Sequence, residues 1–296
     1  MSSITLKQLR YFNALARLGH FGRAADFCAI SQPALSMQIK ELETTLGTAL
    51  FERSPQGLTL TGFGTVFAPR ARTILREVDV LGDLARTAQL GRLSRLRLGV
   101  IPTVAPYLLP KLIGQINASH AGLDLQLRES LTQNLVADLI EGRLDAAIVA
   151  LPIAEPSLTE IALFTECFVL VRPMSDAGRA VPSPESLREM RLLLLEEGHC
   201  FRDQALSFCN LSPTRPREIM DGSALTTLVQ MVAAGIGVTL IPQMAVAVET
   251  ASAPVITQRF ADPEPSRTIG MVWRRSSPLS TQLGNIAELV RLIGSD

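Results

Sequence analysis

Ala24-Ala25-Asp26-Phe27-Cys28-Ala29-Ile30-Ser31-Gln32-Pro33-Ala34-Leu35-Ser36-Met37-Gln38-Ile39-Lys40-Glu41-Leu42-Glu43-Thr44-Thr45-Leu46-Gly47 reads as a short helix, a turn and a longer helix. The small pair Ala24-Ala25 permits close approach of another helix. Ser31 is a good N-cap, and Gln32-Pro33 can take the first helical positions, where a missing amide donor costs nothing. Leu35, Ile39, Leu42 and Leu46 lie on one stripe, and Gly47 stops the helix. The opposite face holds Pro33, Ser36, Met37 and Lys40, with Gln32 at the leading edge. An apolar stripe inward, with short hydrogen-bonding groups and a cation outward, suits a helix that reads base edges. It equally suits an ordinary amphipathic surface helix. Just upstream, residues 5–18 set Leu6, Leu9, Phe12 and Ala16 along one face of a further helix.

The charge distribution favours the first reading. The 296 residues carry 28 basic and 28 acidic side chains, which sum to zero. Residues 1–76, however, hold nine basic groups (Lys7, Arg10, Arg17, Arg23, Lys40, Arg53, Arg70, Arg72, Arg76) against four acidic ones (Asp26, Glu41, Glu43, Glu52). That end is therefore +5 and the remainder −5, which points to a basic module for a polyanion joined to a mildly acidic module. A hydrophobic share of 47% with 19% charged residues excludes both a disordered tail and a polybasic coat. The length predicts two or three compact units. Four scattered cysteines are too few for a secreted disulfide framework. The N-terminus shows no secretory signal. Gly222 to Val248 has no charge, but polar residues, Gly235, Gly237 and Pro242 break it into a buried helix, a turn and a short strand rather than a membrane span. A soluble, cytoplasmic protein is expected, with no membrane partner.

The run Ala24-Ala25, Ser31-Gln32-Pro33-Ala34-Leu35-Ser36, Gln38-Ile39, Leu42-Glu43, Leu46-Gly47, Leu50-Phe51 and Arg53 resembles the DNA-binding signature of LysR-type transcriptional regulators. About fifteen positions over thirty residues carry that likeness. It implies a winged helix-turn-helix, with the wing at Leu50–Arg53 and Leu58–Leu60 around the turn Ser54-Pro55-Gln56-Gly57. It also implies contacts to double-stranded promoter DNA from Ser31, Gln32, Pro33, Ser36, Lys40 and Arg53. Cys28 reads as a small core residue. From Gly62 to Gln89 the chain can run as one helix, with Ile74, Val78, Leu81, Ala85 and Ala88 at a/d spacing. Such a seam can lie on its own core; the resemblance implies instead that it pairs two subunits, with Gly91-Arg92-Leu93-Ser94 as the hinge.

Beyond residue 94 strand and helix patterns alternate. Leu96–Ile101, Leu123–Glu129 and Ala146–Ala150 read as strands, with helices at Tyr107–Asn117 and Thr132–Glu141 between them. This is a parallel βαβαβ arrangement. The chain then crosses through Phe164–Val171 into a second lobe, returns through Thr268–Trp273 and ends in a helix over Leu279–Ile293. Two α/β lobes joined by crossing strands enclose a cleft, as in periplasmic binding proteins. A ligand there would meet strand C-termini and helix N-termini at Pro102-Thr103 and Ser130-Leu131-Thr132.

Gly198-His199-Cys200-Phe201-Arg202-Asp203-Gln204-Ala205-Leu206-Ser207-Phe208-Cys209 holds two cysteines nine residues apart. That spacing fits no common metal or CxxC motif, so no metal and no cofactor are expected. Cys200 stands between His199 and Arg202 at an expected helix start, where positive charge and free amides favour a thiolate. Cys209, framed by Phe208 and Leu211, looks buried and quiet. An exposed reactive thiol with a second one along the chain suits a sulfenic acid and its resolving partner. If residues 200–209 are helical, their Cα atoms lie about 13 Å apart, whereas a disulfide tolerates at most ~7 Å. Bond formation would then require the segment to unwind. Spacing alone leaves open two unrelated core cysteines.

His199-Cys200, Arg202-Asp203-Gln204-Ala205 and Cys209 are similar to the peroxide-sensing OxyR branch of the LysR family. So are Ile101-Pro102-Thr103-Val104, Pro106-Tyr107-Leu108-Leu109-Pro110, Pro263-Glu264-Pro265 and Arg267-Thr268-Ile269-Gly270. The likeness implies that hydrogen peroxide oxidises Cys200 and that Cys209 resolves it to a disulfide. Thr103, Thr132, His199 and Arg267 would surround the peroxide, with Asp203 orienting the network; for Thr132 helix capping is an alternative. Cys167, in an apolar strand, reads as structural. The domains are then a winged helix-turn-helix over 1–61, a linker helix and hinge over 62–93, and a regulatory domain over 94–296. Within the last, lobe I covers 94–164 and 268–296 and lobe II 165–267. The implied partners are a second copy or three more (homodimer or homotetramer), RNA polymerase and a thiol reductant of the glutaredoxin or thioredoxin type. The alternatives are a LysR-type regulator switched by a small organic ligand in the interlobe cleft, and a thiol peroxidase, which leaves residues 1–90 without a use.

Overall fold

A capping box starts helix α1 (Leu6–Leu18): Thr5 Oγ1 accepts from the Gln8 amide at 3.2 Å and Gln8 Oε1 accepts from the Thr5 amide at 3.0 Å. The computed structural model describes residues 4–54, 57–90, 93–187, 189–209 and 220–294, which divide into units 1–89 and 90–296. In the first unit α2 (Phe21–Phe27) is followed by α3 (Gln32–Leu46). An antiparallel hairpin of β1 (Phe51–Ser54) and β2 (Gly57–Leu60) comes next, then the long α4 (Gly62–Leu90). The core is Phe12, Leu15, Leu35 and Leu42, all fully buried. The Phe12 ring lies 5.3 Å from that of Phe51 and 5.1 Å from that of Phe67, tying α1 to the hairpin and to α4. Thr61 opens α4 by accepting from the Gly64 amide at 3.0 Å. A side chain at Gly64 would strike the Leu50 carbonyl, so only glycine allows the hairpin this close.

The a/d seam of α4 is not covered by its own unit. Ile74 and Leu81 are 48% and 64% exposed, and Val78 is half-buried. The side chains of Ala85 and Ala88, the Pro55-Gln56 tip of the wing and the hinge residues Gly91-Arg92 lie outside the described residues.

The second unit carries β3 (Arg95–Val100), α5 (Ala105–Ser119), β4 (Asp124–Glu129), α6 (Thr132–Ile140) and β5 (Ala146–Leu151). β4 and β5 flank β3 in parallel, the expected βαβαβ order. The 16-residue β6 (Leu158–Pro173) then leads to α7 (Pro184–Leu187), β7 (Leu192–Leu195), α8 (Cys200–Phe208), β8 (Met220–Gly222), α9 (Leu225–Ala233), β9 (Val238–Pro242), α10 (Val246–Glu249) and β10 (Val255–Arg259). β11 (Ser266–Arg274) and α11 (Ser280–Gly294) complete it. The strands follow the order β4-β3-β5-β11-β6-β9-β7-β8, with β10 also on β6.

β6 makes the crossing. Its first part pairs with β11 from Leu158 to Cys167, and its second with β9 and β10 from Phe168 onward. Two cores follow the same division, one ending on β6 at Leu163 and the other beginning at Phe168. The change of partner between Cys167 and Phe168 falls inside the Phe164–Val171 crossing expected from the sequence, with Thr165, Glu166 and Cys167 still paired to β11. The uncharged stretch 222–248 forms α9, a turn with Gly235 at φ 77°, and the buried β9. Among the described residues no helix is long and apolar enough to cross a membrane.

Candidate functional site

In the first unit α3 presents its N-terminal half outward. Ser31 caps it, accepting from the Ala34 amide at 3.4 Å, and Pro33 sits in the first turn. Leu35, Ile39 and Leu42 face the core, whereas Gln32, Pro33, Ser36, Met37 and Lys40 are exposed. The Ser31 hydroxyl therefore already serves the helix. Met37, 57% exposed, adds an apolar group between the polar ones. Arg53 is on β1, and its side chain lies outside the described residues. Glu43 ties helix to wing: its Oε1 accepts from the Leu50 and Phe51 amides at 2.7 and 3.3 Å. His20 caps α2 through Nδ1, which accepts from the Gly22 amide at 3.1 Å. Cys28 ends α2, and burial pushes its thiol pKa up, the character of a packed residue.

The second site lies where the two lobes meet. Cys200 is the first residue of α8, after His199 at the N-cap, in a position where amides lack intrahelical acceptors. Cys200 is half-buried and packs against the core of the first lobe although α8 belongs to the second. It shares a tight cleft with Ile101, Pro102, Thr103, Leu131, Thr132 and His199. Thr132 opens α6 without making a side-chain cap; its Oγ1 is buried and has no hydrogen-bond partner among the described residues.

Thr103 is 3% exposed, and its hydroxyl oxygen serves as an acceptor. Arg267 Nη1 donates to Thr103 Oγ1 at 2.7 Å and Nη2 donates to its carbonyl at 3.0 Å. A guanidinium only donates, so the Thr103 proton is left for another acceptor. Arg267 has no exposed side-chain surface and stands behind Thr103 rather than in the cleft wall. Its Cζ lies 5.2 Å from the Phe201 ring centroid, and its Nε donates to Glu166 Oε1 at 2.9 Å. Glu166 was not evident in the sequence. The one hint was an acidic residue inside an apolar strand.

Burial holds the His199 pKa below its ordinary value, against the opposing pull of Glu196, and so favours the uncharged imidazole. That form brings a proton acceptor to the cleft. Arg202 is turned to the Leu195 carbonyl, to which it donates at 2.7 Å. Asp203 is exposed on the first turn of α8 and does not line the cleft. A neighbouring cavity of about 120 Å³ shares Thr103 and His199 and adds Tyr107, Glu129, Thr226 and Glu249. There Tyr107 donates to the buried Glu249 at 2.6 Å; burial, and after it this hydrogen bond, raises the tyrosine pKa.

Cys209 caps the other end of α8, fully buried in the core of the second lobe. Neither it nor Cys200 is in a disulfide. The nine-residue helix between them keeps their Cα atoms about 13 Å apart. Leu211 lies outside the described residues. Cys167 is half-buried beside the Arg259–Glu264 ion pair, and its hydrogen bond to Glu264 raises its pKa. Among the described residues no group of three or more His, Cys, Asp or Glu side chains is arranged to hold a metal ion.

Two family models match: "Bacterial regulatory helix-turn-helix protein, lysR family" over residues 6–65 and "LysR substrate binding domain" over residues 91–292. The chain is 43% identical over 291 residues to a probable hydrogen peroxide-inducible genes activator of Streptomyces viridosporus, covering 97% of this chain and 93% of that one. Full-length OxyR of Pseudomonas aeruginosa with a cysteine-to-aspartate substitution matches with a TM-score of 0.78 at 36% identity, covering 99% of this chain and 96% of that one. Corynebacterium glutamicum OxyR with a cysteine-to-serine substitution and hydrogen peroxide bound gives 0.67 at 35% identity, covering 99% and 94%. With an exposed, capped α3 at one end and two α/β lobes around a cysteine cleft at the other, the chain belongs to the LysR family of bacterial regulatory helix-turn-helix proteins.

Proposed function

We propose that the protein is a hydrogen-peroxide-sensing transcriptional regulator. The carrying observation is the placement of Cys200 in a narrow cleft with Thr103, Thr132 and His199, while Cys209 is buried at the far end of the same helix. The neutral His199 accepts the thiol proton. The Cys200 thiolate attacks one peroxide oxygen, the O–O bond breaks, and the departing hydroxide takes up a proton to leave as water. Thr103, whose acceptor side is occupied by Arg267, donates toward the developing negative charge, and Thr132 supplies the second hydroxyl. The Cys209 thiol then displaces water from the Cys200 sulfenic acid to form a disulfide. Two electrons from a glutaredoxin- or thioredoxin-type dithiol restore both thiols. Asp203, exposed on the first turn of α8, acts from outside the cleft by steadying that end of the helix.

Because α8 holds the thiols too far apart, the disulfide forms only as the helix unwinds, and that remodelling carries the signal. Residues 1–61 read promoter DNA through Gln32, Pro33, Ser36, Lys40 and Arg53 on the Ser31-capped helix. Residues 62–93 pair subunits through the exposed Ile74–Leu81 seam into a dimer or tetramer. Residues 94–296 sense, and the altered assembly changes access of RNA polymerase in the cytoplasm. A stoichiometric sensor is favoured over a peroxidase because the chain carries a DNA-reading unit. The relatives support the peroxide: one is named for peroxide-inducible genes and one holds peroxide.

The test pairs thiol titration after stoichiometric peroxide with DNA footprinting. Loss of two thiols per chain and a changed footprint are expected. A fully formed Cys200–Cys209 disulfide with an unchanged footprint would sink this reading.

A further inference from the structure

We infer that Glu166 is a positioning residue for the peroxide reaction, acting through Arg267 on the Thr103 hydroxyl. The inference rests on the peroxide reading above. Glu166 and Arg267 face each other across β6 and β11, at the point where β6 passes from one lobe to the other. Their side chains are 7% and 0% exposed. Arg267 is held from both sides: Nε donates to Glu166 Oε1 at 2.9 Å with Nη2 paired to the same oxygen at 2.7 Å, while Nη1 and Nη2 donate to Thr103. The second Glu166 oxygen accepts from the Met244 amide at 3.3 Å, which anchors the carboxylate to the start of the segment leading into α10.

This geometry does more than neutralise a buried charge. A guanidinium with a carboxylate on one edge cannot rotate away from the threonine on the other. Arg267 therefore stays on the acceptor side of Thr103 Oγ1, and the hydroxyl proton stays directed to the cleft that Cys200 lines. Without the carboxylate the guanidinium can turn, and Thr103 can use its proton elsewhere. The loss falls on stabilisation of the leaving oxygen and spares access to the thiol, since Glu166 does not line the cleft.

The experiment compares two rate constants at Cys200 in the full-length protein, read from the mass of the Cys200 peptide: oxidation by hydrogen peroxide and alkylation by iodoacetamide. Iodoacetamide reports thiol availability without needing a donor for a leaving hydroxide. Glu166→Gln is expected to slow the peroxide reaction at least tenfold while alkylation stays within twofold. Placed on Arg267→Lys, the same change is expected to cost less than threefold more. A peroxide rate within twofold of the parent overturns the inference. So does an equal fall in both rates, which marks a merely structural role, and so does full additivity with Arg267→Lys. If Glu166→Gln does not fold, Glu166→Asp carries the test: it keeps the charge but withdraws it by one methylene, and an unchanged peroxide rate overturns the inference. A parent protein whose Cys200 ignores peroxide would instead refute the sensor reading itself.

Discussion

Disulfide formation should be set by the stability of α8, and Ser207 is the place to measure this. The residue is exposed on the last turn of α8 and lies outside the cleft. Its substitution leaves the peroxide step alone and alters only the helix. Alanine and glycine differ by about 1 kcal/mol in a helix interior, a factor of about five in the unwound population. Because Ser207 sits one residue from the helix end, a two- to fivefold contrast is expected. The two Cα atoms must close from about 13 Å to ~7 Å, so Cys209 meets the sulfenic acid only in the unwound state. Quenched-flow alkylation after a peroxide pulse separates the steps: consumption of the Cys200 thiol gives the first, and appearance of the disulfide the second. Ser207→Gly should speed the second step and Ser207→Ala slow it, with the first unchanged in both. Equal second-step rates would refute the reasoning, since the thiols would then meet without melting α8.

Removing the Glu43 carboxylate by Glu43→Ala strips the acceptor from the Leu50 and Phe51 amides. It should cost about 1–3 kcal/mol, read as a lower thermal midpoint of the first unit together with weaker DNA binding. Lys40→Ala should reduce the slope of log affinity against log salt by about one if Lys40 meets a phosphate; an unchanged slope would place it on a base edge or off the DNA. Burial lowers the His199 pKa, so as pH falls through 6.5 the unfolded chain takes up a proton that the folded chain refuses. Stability should therefore decline on acidification, fully so below the folded value, and His199→Asn should flatten that part of the profile in chemical denaturation.

The N-terminal unit was legible because its signals are local. Ser31, Pro33 and Gly47 mark helix ends, and Leu35, Ile39 and Leu42 mark the buried face within one short run. The parallel strands of the first lobe were legible from apolar runs. The crossing was legible as the segment Phe164–Val171, but the residue at which β6 changes partner is set by its pairing with β11, not by composition. In the site, Thr103 and Thr132 stand at element ends that sequence can mark. Glu166 could not be foreseen, because its partner Arg267 is 101 residues away and the pair exists only through strand register. Burial of His199, which lowers its pKa, depends on packing between the lobes and is likewise not written in its sequence neighbours.

The same packing that holds the two thiols apart also makes the oxidised and reduced forms distinct. Cys200 rests on the core of one lobe and Cys209 lies inside the core of the other. Joining them disturbs both. Phe201, next to Cys200, packs at 4.8 Å against the Phe168 ring and lies 5.2 Å from Arg267 Cζ. Unwinding that begins at Cys200 must lift this ring, and with it Leu206 on the following turn. Each such large buried side chain is worth about 1.5–3 kcal/mol, so the unwound segment is several kcal/mol uphill while the thiols are reduced. That gap keeps the unoxidised protein in one state. Cleavage of a peroxide O–O bond provides a driving force that the gap cannot oppose, and once a reductant opens the disulfide the same buried area draws α8 back into place. A substitution that shrinks the gap away from the cleft, such as Leu206→Ala, should therefore raise basal switching and slow recovery after reduction, without changing the chemistry at Cys200.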